Sequence, residues 1–452
     1  SSGTREESTA ILGMSHVEKV VLEQKDAVHW VYRGEGAANI VLAYAGPSSL
    51  FAGKVLRIQK LPRGRSKSVN ASAMSVHELL VWKDICDQIS SPTRAIAQQL
   101  YVENVMTPLL GSQHVDAEMR VNVSRDFLES IEMNVCSQRP AWRVGAAEIN
   151  FHIDFAVLMS DHSVFPQGVL TRDPCICVEL KPKCGFLPSS RFIADRNAVK
   201  RHISRFRLHQ LLKLNQMEIS CVSEYNPLDL FSHSKDRVND AIKALFSAPQ
   251  NNLRVFLNGS LVFGCLGGRS VANNSVTSKA LKSALTEIDL SATSFTELVA
   301  ETLLKSRVLS ALLEVQKLDN LDIEGAIHAY YDVVSQPCEV CRSCGDDGSS
   351  DKYVDLHALS MDSSLRIVRD YLIAATAKDC SLMISFRLND GGIQGSFHPN
   401  VYLETTGQSF NYKASFIDLD MKPLGKMAQY YKLDQKIVSC YIQNAKAQHE
   451  SC

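Results

Sequence analysis

The order of strand-like and helix-like segments constrains the fold of this chain more than any other feature. Apolar runs of strand length stand on both sides of long stretches with helical spacing. The strand-like runs lie at 30–32, 40–44, 55–58, 155–159, 175–180, 380–386 and 414–419. The helical stretches lie at 199–213 and at 294–334, the second of which we predict as two helices. Strands followed by helices and then again by strands are typical of the α+β class. We predict an α+β fold in two lobes, with 14–162 as the first domain and 163–452 as the second.

Composition argues against several classes of protein. The 48 Lys and Arg residues nearly balance 49 Asp and Glu residues, so the chain lacks the basic excess of a duplex-binding protein. Thirteen cysteines spread over 452 residues do not resemble a disulfide framework. No apolar run approaches the roughly 18 residues of a membrane span, and residues 1–13 lack the apolar core of a secretion signal. We expect a cytoplasmic or nuclear protein, not secreted, that requires neither nucleic acid nor membrane.

Gly34 and Gly36 lie in a short turn between two of the strand-like runs. Without a Cβ atom, glycine lets the backbone approach a phosphate group closely. A turn between two strands fits the glycine-rich loop of a kinase better than a Rossmann turn, which must open a helix. Asn39 stands where a third glycine would be. A plain hairpin turn is the alternative interpretation.

Two lysines, Lys181 and Lys183, flank a proline at the end of the apolar run 175–180. They alternate with their neighbours, so both side chains share one face if the segment is extended. A pair of ammonium groups at a strand end is a good clamp for a polyanion. An ordinary solvated strand end would show the same pattern.

A basic stripe follows in the helical stretch 199–213. Its members recur every four residues and so share one helical face: Arg201, Arg205, His209 and Lys213. Such a stripe lines an anion pocket or simply faces solvent. Amide and guanidinium donors precede the next apolar strand: Asn251, Asn252 and Arg254.

Acidic residues stand at the ends of the last strand-like runs. Asp379 begins one of them, where a carboxylate can accept a proton from a substrate hydroxyl. Asp418 emerges from the other, a usual place for a Mg²⁺ ligand in kinases, and Asp420 is predicted on the same strand face. Either acid alone is more often a loop or cap residue. Three further side chains at four-residue steps predict one helical face: Lys422, Lys426 and Tyr430.

Cys338 and Cys341 form a C-x-x-C pair, with His328 upstream and His357 downstream. Two thiolates and two imidazoles complete a closed tetrahedral zinc site. Cys344 is a competing third thiolate. A redox function is the alternative, but it would require a thioredoxin-like βαβ setting that the sequence does not show.

Taken together, these segments resemble the inositol-pentakisphosphate 2-kinase family, particularly its plant members. The matching stretches follow the family's order: Tyr32–Gly36, Arg57–Lys60, Glu179–Pro188, Ser204–Phe206, Pro227–Ser232, Ala377–Ser381 and Phe416–Leu419. The run around Lys181 is highly specific to the family, whereas the glycine turn is not. The resemblance implies a two-lobed fold distantly like that of protein kinases, with a larger C-terminal lobe and a structural zinc site.

The resemblance also implies a reaction and its residues. ATP would phosphorylate the 2-hydroxyl of inositol 1,3,4,5,6-pentakisphosphate to give inositol hexakisphosphate (phytate), with Asp379 as base, Lys181 at the transferring phosphate and Asp418 on Mg²⁺. ATP would contact Gly36, Ala37, Asn39, Arg57, Glu179, Arg254 and a hinge formed by Ser160, Asp161 and His162. The inositol phosphates would contact Arg143, Lys183, Arg205, His209, Lys213, Asn251, Asn252, Lys422, Lys426 and Tyr430. Structural Zn²⁺ would be held by His328, Cys338, Cys341 and His357.

The chain departs from the family pattern at two positions. Pro62 stands where an arginine is expected, with Arg63 beside it, and Lys426 replaces another arginine, which loses bidentate geometry toward phosphate. Two other functions remain open: a non-catalytic inositol-polyphosphate scaffold, which would need neither Asp379 nor Asp418, and another inositol polyphosphate kinase. The second would carry the motif P-x-x-x-D-x-K-x-G, and a protein kinase would carry H-R-D and D-F-G; none of these motifs is found in the sequence. We expect a monomer.

Overall fold

The computed structural model describes residues 20–64, 73–87, 89–90, 92–165, 173–265, 274–343, 351–389 and 398–450. Across this part of the chain, helices pack around two separate β-sheets, so the predicted α+β class is confirmed. None of the described helices is both long and apolar enough to cross a membrane.

The first sheet is built from the N-terminal third of the chain. Its strands are β1 (Val21–Leu22), β2 (Trp30–Glu35), β3 (Asn39–Tyr44), β4 (Lys54–Pro62), β5 (Met119–Val123), β6 (Ala147–Ile149) and β7 (Phe155–Ser160). Their order is β1-β5-β7-β4-β3-β2, with β6 paired to the end of β4. Strands β1 and β5 are parallel, and the other pairs are antiparallel. Alternation along β4 turns Leu56 and Ile58 inward, where both are fully buried.

The second sheet is antiparallel throughout. Its strands are β8 (Cys175–Leu180), β9 (Leu253–Leu257), β10 (Ser260–Phe263), β11 (Ser381–Leu388), β12 (Asn400–Leu403) and β13 (Gln408–Ile417). They lie in the order β10-β9-β8-β11-β13-β12. Every residue of β8 is buried, which agrees with its nearly continuous apolar sequence and its central position.

The strand registers bring four strand ends to one edge of the second sheet. Leu180, which ends β8, pairs with Leu253 at the start of β9 and with Leu382 near the start of β11. Ser381 pairs with Ile417, which ends β13. Because neighbouring strands are antiparallel, the end of one lies beside the start of the next. The residues that flank these ends therefore meet at a single edge: Asn252, Lys181, Asp379 and Asp418.

The helices fill the connections between these strands. In chain order they are α1 (Val76–Val81), α2 (Lys83–Cys86), α3 (Arg94–Tyr101), α4 (Thr107–Leu110), α5 (Arg125–Val135), α6 (Ala141–Ala146), α7 (Arg205–Asn215), α8 (Pro227–Leu230), α9 (Lys235–Ser247), α10 (Asn274–Glu287), α11 (Ala292–Ser306), α12 (Val308–Gln316), α13 (Asp322–Val333), α14 (Glu339–Ser343), α15 (Asp351–His357), α16 (Met361–Ala377) and α17 (Met427–Glu450). Short 3-10 helices lie at Gln24–His29, Asp195–Arg201 and Leu424–Lys426, and a π-helical turn, Val102–Met106, joins α3 to α4.

The helix predicted over 199–213 is broken in the structure. A 3-10 helix ends at Arg201, and α7 begins only after Ser204, whose backbone is extended (φ −60°, ψ 143°). The prediction that Arg201 belongs to the basic stripe is therefore wrong. Its guanidinium donates instead to the carbonyls of Ser190 and Ile193. The other three members of the stripe share one face of α7: Arg205, His209 and Lys213.

The segment 294–334, predicted as two helices and described throughout, belongs to three: α11, α12 and α13. Arg307 adopts a left-handed conformation (φ 54°), which ends α11 before α12 begins. No sequence signal such as glycine or proline marks this break, so the periodicity alone runs through it.

Two buried clusters form the main cores. The smaller packs α5 against the first sheet through Phe127, Leu128 and Ile131. The larger packs α9, α11, α12, α13 and α16 against the second sheet, and it also takes in the helices between residues 76 and 110. These helices precede β5 in sequence, yet they support the second sheet.

Candidate functional site

Asp379 lies at the shared strand edge and is surrounded by three lysines. The Nζ of Lys422 lies 2.9 Å from one carboxylate oxygen, and the Nζ of Lys183 lies 3.5 Å from the other. Lys181 donates to the main-chain carbonyl of Asp379 at 3.1 Å. The structure therefore brings together residues predicted as the base, the phosphate clamp and a substrate contact.

The three lysines determine the charge of Asp379. Burial would raise its carboxyl pKa, but the charges of Lys183, Lys422 and Lys181 outweigh burial and hold the pKa well below its usual value. The pKa of Lys183 is lowered to about 8, because burial and the charges of Lys181 and Lys213 outweigh the attraction of Asp379. Asp379 is thus ionised at neutral pH within a predominantly positive site.

Asp418 follows β13 in a left-handed backbone conformation (φ 60°). Its carboxylate lies 3.5 Å from the Nζ of Lys181 and is 43% exposed. The chain then turns away, and Asp420 accepts a hydrogen bond from the Arg57 guanidinium at 2.7 Å. Arg57 is buried between Asp420 and Glu118, which lies 3.4 Å away. The prediction that Asp418 and Asp420 share one strand face is therefore wrong.

Asn252 lies beside Lys181 at the same edge. Its carbonyl accepts the Lys181 main-chain N–H at 2.9 Å. Its side-chain amide is buried, and among the described residues neither amide atom has a hydrogen-bond partner. Buried polar atoms are normally paired, so an unpaired amide here suits a ligand contact. Asn251 adjoins it and is half-buried.

Helix α7 brings His209 and Lys213 within electrostatic range of Lys183. The pKa of His209 is lowered to about 3, because the imidazole is buried and faces the positive charges of Lys213, Arg205 and Lys183. The imidazole is therefore neutral. Arg205 forms an ion pair with Asp434 of α17, which fixes the guanidinium between the two helices.

Lys422, Lys426 and Tyr430, predicted to share one helical face, do not lie on one helix. Pro423 disfavours a helical backbone at Lys422, and α17 begins only at Met427 after a short 3-10 turn. Lys422 nevertheless reaches Asp379, as described above. Burial raises the pKa of Tyr430, whose hydroxyl also feels the charge of Lys422. Lys426 is exposed at the end of the 3-10 turn.

The glycine turn between β2 and β3 stands on a buried ion cluster. Glu35 pairs with Lys60 and with Arg139, whose Nε lies 2.8 Å from the Glu35 carboxylate. Lys60 and Arg143 both donate to the carbonyl of Gly36, at 2.7 and 3.2 Å. Among the described residues, no atom lies within 4 Å of the position that a Cβ would take at Gly36. Lys60 and Arg143 therefore fix the carbonyl of Gly36, whereas the space where a side chain would stand at Gly36 is open.

Ala37 and Asn39 complete the turn. The Gly36 N–H donates to the carbonyl of Asn39 at 3.0 Å, and Ala37 is exposed between them. Asn39 pairs with Gln59 of β4, and Arg57 lies two residues further along the same face of that strand. The predicted ATP residues of the first sheet are therefore neighbours.

Glu179 and Arg254 pair across the second sheet. They are register partners on β8 and β9, and the Arg254 guanidinium donates to both carboxylate oxygens at 3.0 and 3.1 Å. Burial lowers the pKa of the Arg143 guanidinium, and the positive charge of Arg254 lowers it further. This pair therefore lies within electrostatic range of the glycine turn.

The predicted hinge, Ser160–His162, begins with the last residue of β7 and contacts both sheets. Arg33 of β2 donates to the Asp161 carboxylate at 3.0 Å. The Cys177 thiol of β8 donates to the His162 carbonyl at 3.4 Å. Burial lowers the pKa of the His162 imidazole to about 4, so the ring is neutral. The segment therefore contacts a strand of each sheet, and its role as a hinge stays a prediction.

The predicted Cys/His set comes together in space. The four candidate ligand atoms, from His328, Cys338, Cys341 and His357, lie within 4.8 Å of one another. His328 Nδ1 lies 3.0 Å from His357 Nε2, 3.4 Å from Cys338 Sγ and 3.6 Å from Cys341 Sγ. Tetrahedral zinc with bonds of about 2.0–2.3 Å separates its ligands by roughly 3.3–3.8 Å. Two of these three distances fall within that range, and the four ligand atoms lie close enough together to share one ion.

The surroundings of this cluster also suit a metal. Asp332 accepts from Nδ1 of His357 at 2.8 Å, which directs Nε2 of that ring toward the cluster. The Tyr353 ring stacks on His328 at a centroid distance of 4.0 Å. Burial and the neighbouring His357 lower the pKa of His328 to about 3, which keeps the imidazole neutral, as ligation requires. The competing Cys344 lies outside the described residues.

Sequence reasoning missed the roles of two buried charge clusters. The first is the Glu35–Lys60–Arg139 set beneath the glycine turn. A signal for it exists, because Lys60 continues the inward alternation of Leu56 and Ile58 along β4. A lysine at an inward strand position requires a buried partner.

The second cluster surrounds Lys200. Its Nζ donates to Asp322 at 2.5 Å, to Glu324 at 3.0 Å and to Asp434 at 2.7 Å. Three carboxylates at this spacing resemble a cation site, but the Lys200 ammonium takes the cation's place. The partners come from distant parts of the sequence, so no local pattern predicts them. Since Asp434 also binds Arg205, the cluster anchors α7 to α13 and α17.

Known proteins of one family match almost the whole chain. The family model described as inositol-pentakisphosphate 2-kinase matches residues 32–436. The inositol-pentakisphosphate 2-kinase of Arabidopsis thaliana is 50% identical over 440 residues, which cover 95% of this chain and 97% of that protein. The Oryza sativa subsp. japonica protein of that name is 49% identical over 434 residues, covering 95% and 96%. The Danio rerio protein is 30% identical over 492 aligned residues, covering 94% and 95%. Together with the motifs at the shared strand edge, these matches show that the chain belongs to the inositol-pentakisphosphate 2-kinase family.

Proposed function

We propose that this protein transfers the γ-phosphoryl group of ATP to the 2-hydroxyl of inositol 1,3,4,5,6-pentakisphosphate and so produces inositol hexakisphosphate. The observation that carries the proposal is the Asp379 carboxylate among the ammonium groups of Lys181, Lys183 and Lys422. A proton acceptor surrounded by cations suits a hydroxyl that stands between phosphate groups. Family membership supports the choice of substrate.

The proposed architecture has two lobes, as in protein kinases, with 14–162 as the N-terminal lobe and 163–452 as the larger C-terminal lobe. In support, the strands of the first sheet come from residues 21–160 and those of the second from residues 175–417. The helices at 76–110 pack with the second sheet, so they would accompany the larger lobe in space. ATP would lie between the sheets, in contact with Gly36, Ala37, Asn39, Arg57, Glu179, Arg254 and the hinge Ser160, Asp161 and His162.

In the proposed chemistry, Asp379 orients the 2-hydroxyl and accepts its proton as the phosphoryl group is transferred. Lys181 would bridge the transferring phosphate; in support, its ammonium lies between the Asp379 carbonyl and the Asp418 carboxylate. When bound, Mg²⁺ neutralises charge on the β- and γ-phosphates. Asp418 would hold this ion, because its carboxylate is partly exposed, whereas that of Asp420 is occupied by Arg57.

The inositol phosphates require many cationic and amide donors around one cleft, since the substrate carries five phosphate groups. The proposed set comes from α6, α7, α17 and the segments next to β8, β9 and β13: Arg143, Lys183, Arg205, His209, Lys213, Asn251, Asn252, Lys422, Lys426 and Tyr430. Most of these side chains are at least half-buried in the structure, which favours charge-assisted contacts over solvated ones.

We assign Zn²⁺ to the Cys/His cluster. Four protein ligands close a tetrahedral site and leave no open position, so the ion would be structural. The ligands lie on α13, α14, α15 and the approach to α14, and the ion would hold these short helices together. We further propose that the protein acts as a monomer in the cytoplasm or nucleus, without nucleic acid or membrane.

A product assay tests the proposal. The purified protein is incubated with ATP, Mg²⁺ and inositol 1,3,4,5,6-pentakisphosphate, and the product is resolved chromatographically with phosphorus NMR to locate the new phosphate. We expect stoichiometric ADP and inositol hexakisphosphate. Binding of the pentakisphosphate without ADP release would support the scaffold, and a phosphate added to another inositol phosphate alone would indicate a different kinase.

A further inference from the structure

Gln316, the last residue of α12, is fully buried. Its side chain forms hydrogen bonds with two segments, the loop after β8 and the end of α16. Its Nε2 donates to the carbonyl of Lys183 at 2.8 Å and to that of Ala377 at 3.1 Å. Its Oε1 accepts the Gly185 N–H at 2.8 Å. Reversing the amide would place its oxygen against two carbonyls, so these three bonds define one orientation of the side chain.

Both segments contain backbone groups that depend on side chains for hydrogen bonds. Residues 181–190 follow β8 without helix or strand, and Lys183 is left-handed (φ 62°). Gly185 packs so closely on Phe231 that a Cβ would lie 2.4 Å from the ring. Ala377 ends α16, where the last carbonyls have no partner within the helix. Gln316 therefore supplies contacts that the backbone cannot supply for itself.

The turn that follows α12 makes a second contact with the residues just before Asp379. Asp319, three residues after Gln316, accepts from the Nζ of Lys378 at 2.6 Å, and both side chains are largely buried. Ala377 and Lys378 immediately precede Asp379. The turn after α12 thus holds the approach to Asp379 on one side and the carbonyl of Lys183 on the other.

We propose that Gln316 is a positioning residue: its amide fixes the distance between Lys183, which grips substrate phosphate, and Asp379, which receives the proton. This inference rests on the proposed function. The Lys183 ammonium lies 3.5 Å from the Asp379 carboxylate. A displacement of about 1 Å between two such groups costs on the order of 10²-fold in rate.

Two variants test the proposal. Gln316→Met keeps an unbranched side chain of similar length but removes all three bonds. Gln316→Glu keeps the size of the side chain and its acceptor oxygen, but a carboxylate donates to neither carbonyl. This variant can be measured if the methionine variant does not fold. We expect kcat to fall about tenfold to a hundredfold in both. KM for ATP should stay within about twofold, because Gln316 contacts none of the residues proposed to bind nucleotide.

A control variant separates positioning from loss of stability. Val308→Ala removes buried methyl groups from the other end of α12 and should lower the melting temperature while kcat stays within about twofold. In an Asp379→Asn background, the Gln316→Met effect on residual kcat should shrink to about twofold, since the two changes act through one group.

Unchanged kcat in both Gln316 variants would overturn the proposal. So would an equal loss of kcat in Val308→Ala, or an undiminished Gln316→Met effect in the Asp379→Asn background. A wild-type protein without turnover would instead refute the proposed function, which keeps the two failures distinct.

Discussion

Replacing Asp379 with asparagine should separate catalysis from binding. The change keeps the size of the side chain but removes the proton acceptor from the centre of Lys181, Lys183 and Lys422. A general base contributes about 10² to 10⁴ in rate. We therefore expect kcat for Asp379→Asn to fall by that factor.

The affinity of the Asp379→Asn variant for the pentakisphosphate should increase or stay unchanged. In the wild-type protein, the substrate competes with the Asp379 carboxylate for the ammonium groups of Lys183 and Lys422. The carboxylate is 53% exposed, so each of these pairs contributes no more than about 1 kcal/mol. The neutral amide should thus leave the Kd unchanged or lower it by about fivefold.

Two measurements on the same preparation decide the matter. Single-turnover phosphorylation with labelled ATP gives the chemical rate, and calorimetric titration with inositol pentakisphosphate gives the Kd. Asp362→Asn, an exposed acid in the first turn of α16, controls for simple loss of charge. Near-wild-type turnover in Asp379→Asn would eliminate this residue as the base. A Kd weakened more than tenfold would show that the carboxylate organises the lysines instead of competing for them.

Four further expectations follow from the same geometry. Asp418→Ala should abolish Mg²⁺-dependent turnover and weaken ATP binding only when metal is present; an unchanged Mg²⁺ titration would point to Asp420. Elemental analysis should find one zinc per chain, lost in Cys338→Ser together with a lower melting temperature, whereas retained zinc would exclude this ligand set. Inositol pentakisphosphate should raise the melting temperature and protease resistance more than ATP does, and less so in high salt; identical digestion patterns would indicate a rigid, preformed pocket. Because the pKa of Asp379 is lowered, its contribution to stability is complete above a pH of about 4 and is lost below it, so acid titration of Asp379→Asn should show a shallower decline.

The local patterns of the sequence predicted the α+β class and most strand positions, because apolar runs of strand length are a direct signal of buried strands. They also predicted the Cys/His cluster, because the C-x-x-C spacing with flanking histidines is typical of zinc sites. The family resemblance contributed more at the active site. Lys181, Asp379 and Asp418 come from three distant stretches, and only the strand registers bring them to one edge.

The errors have specific physical causes. Asp418 is left-handed, so a strand pattern extended past Ile417 places Asp420 on the wrong side. Pro423 interrupts the helical spacing that links Lys422 to Tyr430. Ser204 starts a new helix and leaves Arg201 outside the stripe. In each case one backbone angle overrides a side-chain periodicity, and periodicity carries no information about that angle.

The ring of lysines around Asp379 has a consequence for timing. In the structure, the Asp379 carboxylate pairs with lysines that we propose bind a phosphate group of the substrate. Its lowered pKa makes it a weak base toward water. On the proposed function, the bound inositol phosphate would replace the Asp379 carboxylate as the partner of Lys183 and Lys422, and the pKa of the carboxylate would rise. Asp379 would then become an effective base only when substrate is bound, which would limit hydrolysis of ATP by water in its absence.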